Sequence, residues 1–245
     1  MSPLVVNPDF AGVERILVVT AHPDDVDFGA AGSVARWTTE GIDVSYCVVT
    51  NGEAGGEDRS MPRAAMADLR RREQTAAAAT VGVTELHWLG HPDCRVEANL
   101  ELRRDISRVI RQVRPDRVVC QSAERNTARI YASHPDHLAA GEATICAVYP
   151  DARSPFAHPE LLDEGLEPWA VHEVLVMTAG GSADTAFDIT ETFDRKVAAL
   201  RCHASQLPDP AGIGSFVREW CTATAAAFDL GPGRLAESFV RIDTR

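Results

Sequence analysis

Ile16-Leu17-Val18-Val19-Thr20 runs straight into Ala21-His22-Pro23-Asp24-Asp25-Val26-Asp27-Phe28-Gly29, and the rest of the chain can be read outward from this junction. The first five residues do not alternate apolar with polar. A short run of this kind reads as a strand buried on both faces, as in a parallel sheet. A turn and a helix from Gly32 to Glu40 follow. The same unit then recurs: strand Val44–Thr50, loop 51–56 and helix Pro62–Val81, opened by a proline and closed near Gly82. Strand Glu85–Leu89 leads to helix Leu100–Val113, and strand Arg117–Gln121 to helix His137–Val148. The stretch Tyr149–Pro168 carries Pro150, Pro155, Pro159 and Pro168 and reads as a long loop, expected to supply pocket residues. Beyond it lie strand Val174–Met177, helices 193–203 and 214–228, and a last, edge strand over Glu237–Ile242. Strands alternating with helices predict an α/β chain whose mostly parallel sheet has helices on both faces. Such sheets place their active site outside the carboxyl ends of the strands, here just after Thr20, Thr50, Leu89 and Gln121.

The chain has 245 residues, is 45% hydrophobic and 24% charged, and is read as a single domain over 1–245. No run approaches the ~20 apolar residues of a membrane span, and the N-terminus lacks the pattern of a secretory signal, so the expected location is the cytoplasm. The 36 acids against 24 bases give a net charge of −12, which speaks against a nucleic-acid partner. Lys196 is the only lysine, which leaves little scope for Schiff-base chemistry. Six scattered cysteines form no Cys-x-x-Cys and read as reduced thiols, with Cys47, Cys120 and Cys146 as small core residues. A homo-oligomer is the default expectation for assembly.

Two clusters carry the chemistry. The first strand ends in a histidine and three acids around Pro23; after the fourth strand comes His134-Pro135-Asp136-His137. Proline fixes its own backbone and restricts the residue before it, so both clusters are stiffened. Neutral imidazoles with a carboxylate suit a catalytic zinc, which keeps three protein ligands and one open position, whereas structural zinc usually closes its shell with cysteines. Either cluster alone also reads as acids capping a helix N-terminus. Their joint presence at corresponding strand ends favours metal-assisted hydrolysis. Amide hydrolysis needs a carboxylate to move protons besides one that holds the metal; the residues alone do not say which acid does which.

At these motifs the chain resembles the zinc-dependent deacetylases of the LmbE/PIG-L superfamily, which remove acetyl groups from N-acetylglucosaminyl conjugates. Ala21-His22-Pro23-Asp24-Asp25 resembles the family's first signature and His134-Pro135-Asp136-His137 its second metal motif. Thr50-Asn51-Gly52-Glu53 with Gly55-Gly56, Arg70-x-x-Glu73 and His203-x-x-Gln206 also have counterparts. The resemblance implies a Rossmann-like fold with Zn2+ held by His22, Asp25 and His137, although Fe2+ or Mn2+ also suit such ligands. It implies Asp24 as the general base that takes a proton from the attacking water, and His134 as an oxyanion donor. Asp136 is implied to orient a histidine, or else it caps a helix, and Asp27 is a supporting or capping acid. The first motif continues Val-Asp-Phe-Gly, which resembles the bacillithiol-pathway branch more than the mycothiol-pathway one. Some members carry a tyrosine two residues before the second motif; here that position is Ala132, with Tyr131 one further back, so no tyrosine role is assigned.

Arg70, Asp93, Glu53 and His203 are the expected substrate contacts. Arg70 would reach a hydroxyl or phosphate, or pair with Glu73 or another acid. Asp93 would bind a sugar hydroxyl, Glu53 would line the site or cap a turn, and His203 with Gln206 would close the pocket. The expected activity is N-deacetylation of an amino-sugar conjugate. The alternatives are an amidase on thiol conjugates or a hydratase on the same fold. A non-enzymatic sugar-binding module would instead show a closed metal shell or lack the base.

Overall fold

The computed structural model describes residues 4–8, 11–178 and 183–245, the side chain of Tyr131 excepted. In chain order the described residues form β1 (Val5–Val6), β2 (Arg15–Thr20), α1 (Asp25–Gly29), α2 (Ala31–Thr39), β3 (Asp43–Thr50), α3 (Arg63–Thr80), β4 (Glu85–His91), α4 (Leu100–Val113) and β5 (Arg117–Gln121). These are followed by α5 (Pro135–Cys146), α6 (Glu160–Asp163), β6 (Glu173–Met177), β7 (Thr185–Asp188), α7 (Phe193–Arg201), α8 (Ile213–Ala227) and β8 (Ala236–Asp243). The strands make one sheet in the order β1-β7-β8-β6-β5-β2-β3-β4. All neighbours pair parallel except β8, which runs antiparallel to β6 and β7.

Alternate residues of β2 feed two cores, as the pleat requires. Ile16 and Val18 face the layer built with Val34, Trp37, Ala77, Leu200 and Phe239, where Trp37 meets Phe187 edge-on at 5.3 Å. Leu17 and Val19 face the other layer, with Leu102, Ile106, Ile110, Ala140 and Val174. Both faces are covered, which is why β2 reads as an unbroken apolar run. Each such buried side chain contributes ~1.5–3 kcal/mol. The expected α/β architecture is present.

Four details differ from the expectation. Glu237–Ile242 belongs to an interior strand: the four-residue β7 and the two-residue β1 pair outside it, and both are too short to stand out in the sequence. The segment 149–168 is largely irregular with one helical turn, α6, but it packs on α4 rather than at the sheet crevice. There Arg111 donates to the carbonyls of Ala152, Asp151 and Ser154, and Arg103 makes a two-pronged pair with Asp151 at 2.8 Å. Cys146 is only half-buried, whereas Cys47 and Cys120 are fully buried. Finally, α5 starts two residues early, because Pro135 occupies the first turn and His134 caps it, accepting the Asp136 N–H at 3.2 Å.

Strand β2 has β3 on one side and β5 on the other, so the order reverses there and opens a crevice at the strand ends. Gln121, the last residue of β5, fastens the two ends by accepting the Ala21 N–H at 2.8 Å.

Candidate active site

Both histidine clusters open into that crevice. Asp24 turns the chain from β2 into α1 with φ = 91°, a left-handed conformation uncommon outside glycine that costs ~1–3 kcal/mol. The surroundings hold it there. The Asp24 N–H donates to Gln74 Oε1 at 2.7 Å, the Arg70 guanidinium donates to Pro23 O at 2.6 Å and to Asp24 Oδ2 at 3.1 Å, and the His22 N–H donates to Asp25 Oδ2 at 2.6 Å. The turn therefore places adjacent carboxylates in different surroundings.

Asp25 meets the two histidines. His22 Nδ1 lies 3.2 Å from His137 Nε2 and 3.4 Å from Asp25 Oδ2, and His137 Nε2 lies 3.0 Å from Asp25 Oδ1. Ligand atoms ~2.0–2.2 Å from a tetrahedral zinc stand roughly 3.3–3.6 Å apart, close to these separations, of which the two to Asp25 run to different oxygens. The donor set, two imidazoles and a carboxylate with no thiolate, also fits a catalytic divalent metal. His134 groups with His22 and His137, with ligand atoms within 4.8 Å of one another. His134 Nδ1 is already engaged as a cap, whereas both Asp25 oxygens lie within 3.4 Å of a histidine nitrogen, which makes Asp25 a candidate third ligand.

The opposite edge of His22 faces acids only. Its Nε2 lies 3.1 Å from Asp93 Oδ1 and 3.2 Å from Asp136 Oδ2. A proton held on Nε2 by these carboxylates leaves the Nδ1 lone pair for a metal. Asp136 is itself fixed by the N–H groups of Cys94 at 2.7 Å and Val96 at 3.3 Å, and Asp93 accepts the Ala54 N–H at 2.9 Å.

The electrostatics follow from this packing. Burial alone would lower the His22 pKa, but Asp25, Asp136 and Asp93 outweigh it and push the value up to about 12. Burial likewise opposes the charge on His137, yet Asp25 raises its pKa. Burial would raise Asp25, and His137 and His22 instead hold it well below the usual carboxylate range. The cluster thus draws in positive charge, whether proton or metal. Asp24 moves the other way: burial and the neighbouring Asp25 raise its pKa to about 6, against the pull of Arg70. His134 is lowered by burial and by His22, which keeps it neutral near pH 7. With Nδ1 accepting a backbone N–H, its proton sits on Nε2.

Each of the expected substrate contacts has partners within the protein. Arg70 is 4% exposed; its terminal nitrogens donate to Pro23, Asp24 and, at 3.1 Å, the Gly52 carbonyl, while its buried Nε has no hydrogen-bond partner among the described residues, and it pairs with Asp24 rather than Glu73. A Cβ at Gly52 or Gly55 would meet the Arg70 guanidinium at 2.4 or 2.6 Å, so the loop closes on Arg70 only with glycine there. Asp93 faces His22, and Glu53 Oε1 accepts the Asp93 N–H at 2.9 Å. His203 is fully buried and pairs through Nε2 with Asp27 Oδ2 at 2.8 Å. The Tyr131 side chain lies outside the described residues.

Sequence reasoning missed Gln74. Its amide nitrogen donates to Asp27 Oδ2 at 2.9 Å while its oxygen holds the Asp24 N–H, so His203, Asp27, Gln74 and Asp24 form one buried chain. The available signal was Arg70, Glu73 and Gln74 occupying the same buried stripe of α3 as Met66, Ala77 and Ala78. Lys196 was set aside too. It is fully buried, and its ammonium donates to Glu237 at 2.6 Å and to the carbonyls of Asp27 and Phe28 at 2.9 and 2.6 Å, pinning the end of α1. Asp25 and His137 line a cavity of about 740 Å³, a volume suited to a small-molecule ligand.

Comparison with known proteins agrees with this geometry. The profile of the PIG-L family, GlcNAc-PI de-N-acetylase, matches residues 17–148, which contain both histidine clusters. Diacetylchitobiose deacetylase of Thermococcus kodakarensis is 31% identical over 204 residues, covering 83% of this chain and 74% of that one. The probable N-acetyl-alpha-D-glucosaminyl L-malate deacetylase 2 of Bacillus cereus is 31% identical over 199 residues, covering 78% and 83% respectively. Among solved structures, N,N'-diacetylchitobiose deacetylase from Pyrococcus horikoshii superposes with a TM-score of 0.87 at 27% identity, over 96% of this chain and 86% of that one. With the profile spanning more than half the chain, and both motif clusters inside the match, the chain belongs to the PIG-L family of GlcNAc-PI de-N-acetylases.

Proposed function

We propose that the chain is a metal-dependent amide hydrolase that removes the N-acetyl group from an N-acetylglucosaminyl conjugate, with His22, Asp25 and His137 holding a zinc ion. The observation that carries this reading is the meeting of His22 Nδ1, His137 Nε2 and the two oxygens of Asp25, at separations of 3.0–3.4 Å, beside a separate carboxylate whose pKa is raised to about 6. The named relatives, deacetylases of GlcNAc-containing substrates, support the same assignment.

When bound, the metal supplies Lewis acidity to the amide carbonyl and lowers the pKa of a water toward ~7. The chain supplies the rest. Asp24 takes a proton from the attacking water and returns it to the departing amine nitrogen. A base poised near neutrality is ionised at pH 7 yet able to give the proton back. Arg70 and Gln74 hold Asp24 at its left-handed turn, so that the carboxylate does not swing onto the metal ligands. His134 donates a hydrogen bond from its Nε2–H to the developing oxyanion, preorganised by its cap onto the Asp136 N–H. Asp136 and Asp93 fix the tautomer of His22.

The test is free-amine release from a panel of N-acetylglucosaminyl conjugates by zinc-loaded protein. Stoichiometric amine and acetate would support the reading. A metal-loaded protein that releases amine from no conjugate but hydrates unsaturated acids would replace it with the hydratase alternative.

A further inference from the structure

Two side chains hold Asp24 at its left-handed turn: Gln74 through the Asp24 N–H, and Arg70 through Pro23 O and the Asp24 carboxylate. An amide such as Gln74 can sit either way round, because its oxygen and nitrogen are alike in shape and opposite in hydrogen-bonding sense. Turned over, it would set its NH2 group against the Asp24 N–H. Asp27 decides the orientation, since its Oδ2 accepts from Gln74 Nε2 at 2.9 Å. Asp27 is fully buried, and its Oδ1 has no hydrogen-bond partner among the described residues. Its side chain is therefore fixed through Oδ2, by Gln74 and by His203 Nε2 at 2.8 Å.

His203 stands in the turn that follows α7, residues 202–206, where the Gln206 N–H donates to His203 O at 3.0 Å. The turn is fastened to α3 one residue from Gln74: Glu73 accepts the Ser205 N–H at 2.8 Å through Oε1 and the Ser205 hydroxyl at 2.6 Å through Oε2. Gln206 packs on the loop that encloses Arg70, since a Cβ at Gly55 would meet Gln206 Oε1 and Arg70 Nη1 each at 2.6 Å. Both holders of Asp24 are thus backed by one turn. His203 itself is fully buried, and its Nδ1 has no hydrogen-bond partner among the described residues. The contact of Nε2 with Asp27 is what fixes the ring, and no part of the ring is open to a substrate.

Resting on the reading of Asp24 as the general base, we propose that His203 is a positioning residue for Asp24: through Asp27 it keeps the Gln74 oxygen facing the Asp24 N–H, and the turn 202–206 holds it in place to do so. The donors run in one sense along the chain. His203 Nε2–H and Gln74 Nε2–H both donate to Asp27 Oδ2, and the Asp24 N–H donates to Gln74 Oε1. Without the His203 donor, a buried carboxylate keeps one hydrogen bond where it had two. The carboxylate and the Gln74 amide are then free to rotate, and the strained turn at Asp24 loses the acceptor that holds its N–H. A proton-transfer group misplaced by about an ångström loses up to ~10²-fold in rate. His203 thus acts on the reaction from a place that no substrate reaches.

The experiment measures kcat, KM and zinc content with diacetylchitobiose and N-acetylglucosaminyl malate for wild type, His203→Leu, His203→Gln, Gln74→Leu, the double variant His203→Leu/Gln74→Leu, and Leu200→Ala. In His203→Leu, kcat should fall about tenfold at nearly constant KM and full zinc content. Glutamine extends its Nε2 about as far as histidine does, so His203→Gln should stay within about threefold of wild type. Because His203 acts through Gln74, the double variant should be no more than about twofold slower than Gln74→Leu. Leu200→Ala removes a buried side chain from α7 and should lower the urea midpoint with kcat unchanged. Should His203→Leu not fold, His203→Asn, whose amide stops short of Asp27, carries the same expectation. Losses that multiply in the double variant would overturn the proposal. So would a glutamine variant as slow as the leucine one, or an equal kcat loss in Leu200→Ala, which would mark general loosening of α7. Amine released from neither conjugate by wild type would overturn the deacetylase reading instead. A crystal structure of His203→Leu then decides the positioning claim alone: a turned Gln74 amide or a relaxed Asp24 is expected, and both unmoved would overturn it.

Discussion

Asp24→Asn separates proton transfer from metal binding. Asparagine is nearly the same size, its side-chain oxygen can still accept from Arg70, and the backbone N–H that Gln74 holds is untouched. What is lost is a carboxylate with a pKa of about 6, roughly nine-tenths ionised at pH 7. Nearly all wild-type molecules then carry the competent base, so the full general-base contribution disappears: kcat should fall ~10²–10⁴-fold, or about 3–5 kcal/mol of barrier, with zinc content unchanged. The wild-type rate should rise tenfold per pH unit below the Asp24 pKa and then level off. A metal on Asp25 cancels part of the repulsion that raises Asp24, so this limb lies at or below about 6. In Asp24→Asn the limb vanishes. Stability gives a second readout in chelated protein. A folded pKa above the unfolded one means that the native state binds more protons between about 4 and 6, so stability falls as pH rises through that window. Removing the charge takes away that penalty, at most about 3 kcal/mol and less whatever the Arg70 pair contributes, so the urea midpoint at pH 7 should not drop. Turnover within tenfold of wild type in metal-loaded Asp24→Asn would refute the reasoning, as would loss of the metal.

Gln74→Leu removes the acceptor that holds the Asp24 backbone and the donor to Asp27; kcat should fall tenfold or more at nearly constant KM and full zinc content, and substitution by glutamate, which keeps the acceptor, should restore part of the rate. Lys196→Met leaves Glu237 buried without its counter-ion, although Glu237 still accepts the N–H groups of Gly32 and Ser33 at 3.1 and 2.7 Å. Urea unfolding should show a loss of about 3–5 kcal/mol, and adding Glu237→Gln should recover part of it; additive losses would disprove the pairing.

The legible parts of this molecule were those whose determinants are adjacent in the chain. His22, Asp24 and Asp25 stand within four residues at the proline-stiffened end of β2, His134 and His137 stand within four at the proline-stiffened start of α5, and the fold brings the two clusters together across 115 residues. Strands β2, β3, β5 and β6 announced themselves as apolar runs because both faces are covered. Partners of buried polar residues were not legible. His203 meets Asp27 across 176 residues and Arg70 meets Asp24 across 46, and nothing local separates a buried, paired histidine or arginine from one that faces a ligand. Gln74 was hidden for the same reason, as a lone amide in an alanine-rich helix. The place of β8 depended on two strands of four and two residues, whose own patterns are too brief to carry a period.

The proposed chemistry requires that His22, Asp25 and His137 hold one metal ion while Asp24 does not. Metal stoichiometry measured on wild type, His22→Ala, His137→Ala and Asp24→Asn, purified identically and equilibrated with zinc, tests it. One equivalent per chain in wild type and Asp24→Asn, with loss in both histidine variants, is the predicted result. Zinc retained after His22→Ala, or lost after Asp24→Asn, would contradict it.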